Sequence, residues 1–219
     1  MTDQSNIELV SSRFPNRRAN QKARTRESIL SAAGQAFASR GFDGASLREI
    51  AEAAGVAQPL LVYHFGSKEG VWRAAVDRLF DRVEAATEAA LDVVPPEAGE
   101  ARLRAMLRSF VGVIAQDPAW LQILLREAAE PGPRLDWLVE QHSRATFENG
   151  RDFLDEARST GLLPDLPTDH LLYVMIGALA FVVALAPEVE RVNGYDPRSS
   201  DFLDRHVDTL YTLLTAGGA

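Results

Sequence analysis

The 219-residue chain contains no cysteine, so disulfide bonds and thiolate chemistry are excluded. It also has no stretch of strict polar–apolar alternation bounded by hairpin signals, and we therefore expect no β-strands. The first twenty residues are polar and contain no apolar core of about 7–15 residues such as a signal peptide needs, which favours a cytoplasmic location. Apolar residues make up 46% and charged residues 25% of the chain, as in an ordinary globular protein.

Motifs that commonly mark enzymes are also missing. The chain has no Gly-x-Ser-x-Gly, no His-Glu-x-x-His and no glycine-rich phosphate loop. Its histidines lie far apart and lack the spacing of metal ligands: His64, His142, His170 and His206. We therefore expect no catalytic activity, no metal ion and no cofactor.

Charge is distributed unevenly along the chain. The net formal charge is −8, yet residues 13–73 carry ten Lys/Arg against five Asp/Glu, whereas residues 74–219 carry thirteen against twenty-four. The basic N-terminal segment could bind a polyanion, which the acidic C-terminal segment would repel. The pattern therefore indicates two functions in one chain. Chance unevenness is the alternative explanation.

Apolar spacing and helix-end signals predict an all-α fold of about nine helices. Proline and glycine clusters separate the helices, and the segment from Pro187 through Pro197 is interpreted as such a break. The predicted helices cover residues 22–40, 46–53, 57–64, 67–90, 98–116, 118–129, 133–159, 168–186 and 200–215.

The first three of these helices have the pattern of a helix-turn-helix unit. Ser46-Leu-Arg-Glu49 is a capping box that starts the first short helix, and Gly55 supplies the tight turn before the second. Once the apolar residues of the second short helix face inward, Gln58, Pro59, Val62 and Tyr63 face outward. A helix exposed in this way fits the major groove of DNA.

Residues 22–70 resemble the DNA-binding domain of the TetR family of bacterial transcriptional repressors. The matching segments are Ile29…Ala33…Phe37…Gly41-Phe42, Ser46-Leu-Arg-Glu-Ile-Ala-Glu-Ala-Ala-Gly-Val56 and Tyr63-His-Phe-Gly-Ser-Lys-Glu69. The resemblance implies three parts: a disordered basic arm over residues 1–19, a DNA-binding domain over 20–66, and a larger helical ligand-binding and dimerisation domain over 67–219.

The resemblance also implies roles on DNA. Arg48 would read a base edge, Gln58 would read adenine, and Pro59 and Val62 would touch thymine methyl groups. Phosphate contacts would come from Tyr63, His64 and Lys68. Arg24 belongs to the basic run Arg17-Arg18…Lys22…Arg24…Arg26, which precedes the DNA-binding helices and is expected to contact phosphates or the minor groove; a merely soluble tail is the alternative.

Two of these residues have other interpretations. Tyr63 could be a half-buried core aromatic, and Arg48 could be solvated or paired with Glu52 four residues on. Ala57 departs from the Ser that is frequent in the family, so the second short helix is expected to lack a side-chain cap.

In the larger domain the middle helices would enclose a cavity for a small-molecule effector. The residues assigned to it are Met106, Phe110, Leu124, Glu127, Trp137, His142, Phe147 and Tyr173. Such side chains also build ordinary cores, and that alternative stays open. The acidic excess of this region favours a neutral or cationic ligand, although solvated carboxylates would explain it too.

Residues 171–186 form a run of sixteen apolar residues, shorter than the roughly twenty of a membrane span. A helix that is apolar all round is buried all round. The resemblance implies that the last two helices pair with those of a second subunit as a four-helix bundle, with an ordinary monomeric core as the alternative. The interface residues assigned are Leu203, Val207, Leu210, Leu214, Gly177 and Phe181.

The sequence therefore predicts a homodimeric, ligand-responsive DNA-binding regulator outside the membrane. It would act as a repressor released from a palindromic operator by a small molecule. The alternative is an all-helical small-molecule-binding enzyme or binding protein without a function on DNA.

Overall fold

The computed structural model describes the backbone of residues 15–216 and the side chains of residues 19–216. Within this part the chain is all-helical, as predicted, with ten helices if the continuous α7–α8 run counts as one. The helices are α1 (Pro15–Gly44), α2 (Leu47–Ala53), α3 (Gln58–Phe65), α4 (Lys68–Asp92), α5 (Gly99–Gln116), α6 (Ala119–Ala129), α7 (Pro133–Leu138), α8 (Arg144–Ser159), α9 (Thr168–Ala184), α10 (Ala186–Asn193) and α11 (Ser200–Thr215).

The basic arm predicted over residues 1–19 lies mainly outside the described residues, as do the side chains of Arg17 and Arg18. From Pro15 onward the backbone already belongs to α1, so this helix begins before the predicted residue 22. Proline is well suited to a first helical turn, since its missing N–H would have had no partner there.

The chain divides into two compact units, one ending at Ala75 and the other beginning at Val76. The boundary predicted from sequence lies between residues 66 and 67. The first turns of α4 contribute to the core of the first unit, because Val71, Trp72 and Ala75 are fully buried and the Trp72 ring meets Phe42 edge-on. Helix α4 therefore belongs to both units.

Helix ends in the first unit follow the signals in the sequence. Gly41 interrupts the helical path of α1 with φ 72°, a conformation that glycine adopts without strain. The Ser46 hydroxyl accepts a hydrogen bond of 3.2 Å from the Glu49 backbone N–H, which confirms the predicted cap of α2. The Glu49 carboxylate itself pairs with Arg40.

The junction between α3 and α4 brings two backbones into direct contact. Gly66 ends α3 with φ 75°, and the Ser67 hydroxyl caps α4 by accepting from the Gly70 N–H at 3.1 Å. A Cβ atom on Gly70 would lie 2.1 Å from the Phe65 carbonyl oxygen, closer than any side chain can approach. Position 70 is therefore restricted to glycine.

In the second unit, α11 packs on α5 through two matching apolar stripes. The stripes consist of Leu203, Val207, Leu210 and Leu214 on α11 and Leu103, Leu107, Val111 and Ile114 on α5, all buried. Ion pairs flank this seam, from Arg104 to Asp208 and from Arg108 to Asp204.

Two local features were not predicted. Helix α10 occupies part of the segment interpreted as a break, because Pro187 lies in its first turn, where proline is tolerated. A π-helical turn, Val139–Ser143, joins α7 to α8 inside what the sequence predicted as one regular helix.

No single helix within residues 15–216 has the length and apolarity to cross a membrane. Helices α9 and α10 meet that criterion only as a pair, and they are bent by 66° where they join.

Candidate DNA-binding surface and ligand cavity

Helix α3 has one solvent-exposed face that includes apolar and aromatic side chains. Leu61 is fully buried and anchors the helix in the first unit. The outward face consists of the predicted residues Gln58, Pro59, Val62 and Tyr63, all exposed. Tyr63 is 81% exposed, so the alternative that it is a half-buried core aromatic is wrong.

The backbone before α3 is fixed by the turn that precedes it. Gly55 has φ 68°, and the Val56 N–H donates to the Ala51 carbonyl at 2.9 Å. The Ser28 hydroxyl on α1 donates to the Ala54 carbonyl at 3.2 Å. Ala57 makes no side-chain cap, as expected, and Pro59 in the first turn removes one N–H that would need a partner.

The cationic side chains predicted to contact DNA differ in their exposure and in their contacts within the protein. Arg24 and Arg48 are exposed, and neither forms an ion pair with any residue in the described part of the chain. The proposed pairing of Arg48 with Glu52 is thus absent there. Lys68 is half-buried, donates from Nζ to the Asp43 carbonyl at 3.1 Å and lies 4.9 Å from the centre of the Phe42 ring. His64 is also half-buried, with its ring 5.4 Å from that of Tyr63.

A cavity of about 350 Å³ lies within the second unit. Its walls come from α4, α5, the π-helical turn, α8 and α9. Four residues assigned to a ligand from sequence line it: Met106, Phe110, His142 and Phe147. This volume is at the lower end of the range for small-molecule sites, which is about 300–1,000 Å³.

The other four assigned residues lie outside this cavity, and each has a structural reason. Helix α6, which carries Leu124 and Glu127, contributes nothing to the walls. Glu127 is 5% exposed and instead holds Arg134 through both carboxylate oxygens, at 3.1 and 3.2 Å. Trp137 does not line the cavity; its ring packs edge-on against His142, which does. Tyr173 is 64% exposed on the outer side of α9.

Sequence reasoning missed the wall that α4 contributes. Its residues recur at intervals of three and four along the helix, which places them on one face: Phe80, Val83, Glu84, Thr87, Glu88 and Leu91. This mixed polar and apolar spacing is the signal that could have identified them.

His142 links two walls of the cavity. Its Nε2 lies 2.8 Å from Oδ1 of Asp77 on α4, and its ring stacks on Phe80 with centroids 4.6 Å apart. The side chain comes from the π-helical turn. Such turns are often found at functional sites, because the inserted residue re-aims its neighbours.

Asp117 fastens α4 at a second point. Its carboxylate accepts from Arg82 at 2.7 Å and from Arg78 at 3.4 Å, both on α4, and it is only 9% exposed. Asp117 follows the last residue of α5. The cavity half of α4 is thus held on one side by this ion-pair cluster and on another by His142.

Comparison with known proteins finds relatives among bacterial transcriptional regulators. Residues 29–75 match the family model for bacterial regulatory proteins of the tetR family. The HTH-type transcriptional regulator RutR of Escherichia coli K12 is 25% identical over 201 residues, which cover 92% of this chain and 93% of RutR. The chain belongs to the TetR family of transcriptional regulators.

Solved structures agree on the TetR-family fold. A putative fatty acid metabolism regulator of Clostridium perfringens superposes with a TM-score of 0.71 at 19% identity, covering 87% of this chain and 97% of that one. AibR in complex with isovaleryl coenzyme A and operator DNA gives a TM-score of 0.67 at 19% identity, covering 88% and 99%. At these identities the solved structures show a shared fold.

The dimer residues assigned to this TetR-family chain require a correction. Leu203, Val207, Leu210 and Leu214 are 3–6% exposed because α5 covers them in the same subunit, so they are not available to a partner. Gly177 is exposed on α9, and Phe181 is 65% exposed. The neighbouring stripe of α11, which includes Leu213 at 71%, faces outward instead.

Proposed function

We propose that the chain is a repressor that binds a palindromic operator as a homodimer and is released by a small molecule. The observation that carries the DNA-binding part is the exposed face of α3. A tyrosine that is 81% exposed, beside an exposed valine, proline and glutamine, adds little to the buried core. These groups suit base edges, thymine methyl groups and phosphates in a major groove.

The dimer would form through adjoining outer stripes of α9 and α11. On α9 the stripe contains Val174, Gly177 and Phe181, and on α11 it contains Leu213 with Phe202 and His206. The two stripes meet where His206 Nε2 donates to the Ala178 carbonyl at 2.9 Å. Exposed apolar surface of this kind marks an interaction site, and the occupant we propose is a second copy of this chain.

Release from DNA would depend on α4. Residues 68–75 of this helix belong to the first unit and residues 76–92 to the second, so a displacement of one end is carried along a continuous backbone. A ligand in the cavity would contact Phe80 and Val83 and so press on α4 directly. A coupling of about 1–3 kcal/mol, or 5- to 150-fold in operator affinity, is typical of such regulation.

We infer further that the protein acts in the cytoplasm, where it has access to DNA, and that it has no catalytic activity. AibR binds isovaleryl coenzyme A, but that ligand is not carried over to this chain, since the fold alone is shared.

The deciding experiment is selection from a pool of random-sequence DNA duplexes with the full-length chain. We expect an enriched palindrome or near-palindrome whose half-sites are centred about 34–36 Å apart, or a multiple of that distance. Gln58→Ala should alter the selected sequence, whereas Gln122→Ala, an exposed glutamine on α6, should not. Selection of no sequence above background would refute the proposal.

A further inference from the structure

The cavity has an unusual charge composition. No Lys or Arg is among the residues that line it, although the second unit is rich in arginine. Two carboxylates, Glu84 and Glu88, do line it. The remaining polar groups are neutral amides and hydroxyls together with His142, whose Nε2 is already engaged by Asp77.

The two carboxylates lie close together in the cavity lining. They are four residues apart on α4, so they share one face of the helix. Both are exposed, as are the lining residues Gln141, Thr146 and Asn149, which means that this part of the lining is in contact with water. Neither Glu84 nor Glu88 forms an ion pair with another residue in the described part of the chain.

The part of the lining that comes from α9 is largely apolar and buried. Leu172, Met175 and Leu179 of α9 line the cavity and are at most 7% exposed. Aromatic rings line the cavity as well: Phe80, Phe110, Phe147 and Phe153. The lining therefore combines aliphatic, aromatic and acidic side chains.

We propose that the effector is an amphipathic organic cation, with an apolar body toward α9 and an amine or quaternary ammonium head at Glu84 and Glu88. This inference rests on the proposed function, in which the cavity is the effector site. A cation would be attracted by both carboxylates and by the faces of the aromatic rings. A carboxylate or phosphate ligand would be repelled by the two glutamates and would find no Lys or Arg to neutralise it.

The test compares three probes that share one body: 4-phenylbutylamine, 4-phenylbutan-1-ol and 4-phenylbutyrate. Titration calorimetry with the full-length protein measures each affinity. We expect the amine to bind at least about tenfold more tightly than the carboxylate, with the alcohol between them, because the bodies make the same contacts and only the head differs in charge. Added salt should reduce the preference for the amine.

Two double variants that remove the same charge test whether the preference for the amine depends on Glu84 and Glu88. Glu84→Gln combined with Glu88→Gln should bring amine and carboxylate to within about twofold of each other, since the charges that discriminate them are gone. Asp81→Asn combined with Asp92→Asn removes the same charge from the same helix, but these residues do not line the cavity. This control should retain the full preference.

Three outcomes would overturn the inference: tighter or equal binding of the carboxylate, no binding of any probe up to millimolar concentration, or an unchanged preference in the double glutamate variant. If the proposed function is wrong but the ligand class is right, the result differs. The amine would then bind with the expected preference, but operator affinity would be the same with and without the amine.

Discussion

Nε2 of His142 lies 2.8 Å from Oδ1 of Asp77, and this contact connects the π-helical turn to α4. The imidazole ring has two aromatic neighbours: Phe80 stacks on it, and Trp137 packs against it edge-on. A ligand in the cavity would touch the same ring. His142 is therefore placed where occupancy of the cavity can alter the restraint on α4.

The strength of this contact can be measured by a double-mutant cycle. We expect His142→Ala and Asp77→Ala to show a coupling free energy of about 0.5–1.5 kcal/mol, the usual net value of a hydrogen bond between side chains. Urea unfolding followed by circular dichroism supplies the four stabilities. A cycle of His142→Ala with Asp81→Ala, which lies one turn further along α4, should be additive within about 0.5 kcal/mol. Equal coupling in both cycles would contradict the assignment.

Asp117→Asn should destabilise the second unit by about 1–3 kcal/mol. The substitution keeps the shape of the side chain but removes the charge that holds Arg78 and Arg82 in a poorly hydrated position. Asp204→Asn is the matched control: its ion pair with Arg108 is exposed, so the loss should stay below about 1 kcal/mol. Thermal unfolding monitored by circular dichroism compares the two. Similar losses would mean that burial of Asp117 adds nothing.

Two aspartate substitutions on α11 distinguish the inner from the outer stripe. Leu213→Asp places a charge on an exposed position and should yield a folded monomer, because only the proposed subunit contact is disturbed. Val207→Asp buries an unpaired charge against α5 and should prevent folding of the second unit. Sedimentation velocity and circular dichroism measure both effects. If Leu213→Asp sediments like the unchanged protein, the proposed dimer surface is wrong.

Gly70→Ala should destabilise the first unit by at least about 1–3 kcal/mol, because the new methyl group would overlap the Phe65 carbonyl and force the backbones apart. Operator affinity should fall with it. Gly112→Ala is the control: this helical glycine has open space around the Cβ position and should become more stable by up to about 1 kcal/mol. A neutral effect at position 70 would show that the α3–α4 junction can relax.

Arg48→Ala and Arg24→Ala should weaken operator binding in different ways. Loss of a base contact at Arg48 should cost about 1–3 kcal/mol and relax preference at one base position. Loss of a phosphate contact at Arg24 should weaken all sequences alike and lower the salt dependence by about one counterion. Fluorescence anisotropy with operator and scrambled duplexes, each over a range of salt, separates the two. Unchanged base preference in Arg48→Ala would remove it from the readout.

Helix positions were predictable from sequence because caps and breakers are local. Ser46, Gly55 and Ser67 act through bonds to neighbours within a few residues, so their effect does not depend on the tertiary structure. Pro187 shows the limit of this logic, since the same residue that ends one helix can start the next.

The sites were less predictable, because they depend on which face of a helix meets which neighbour. The regular leucine stripe of α11 looked like a subunit contact, yet α5 carries a complementary stripe that covers it. Glu127 looked like a ligand group, but Arg134 in the next helix neutralises it. Glu84 and Glu88 were overlooked, since exposed glutamates on a helix are ordinary until the opposite wall is known.

The contact between Gly70 and the Phe65 carbonyl determines how motion passes along the chain. Side chains that separate most packed helices can change rotamer and absorb a small displacement of one helix before the other responds. Between α3 and the start of α4 no such layer is present, because main-chain atoms of one touch main-chain atoms of the other. The junction behaves as a stiff joint, and a rotation of α4 of even a few degrees must reorient the side chains that α3 offers to a groove.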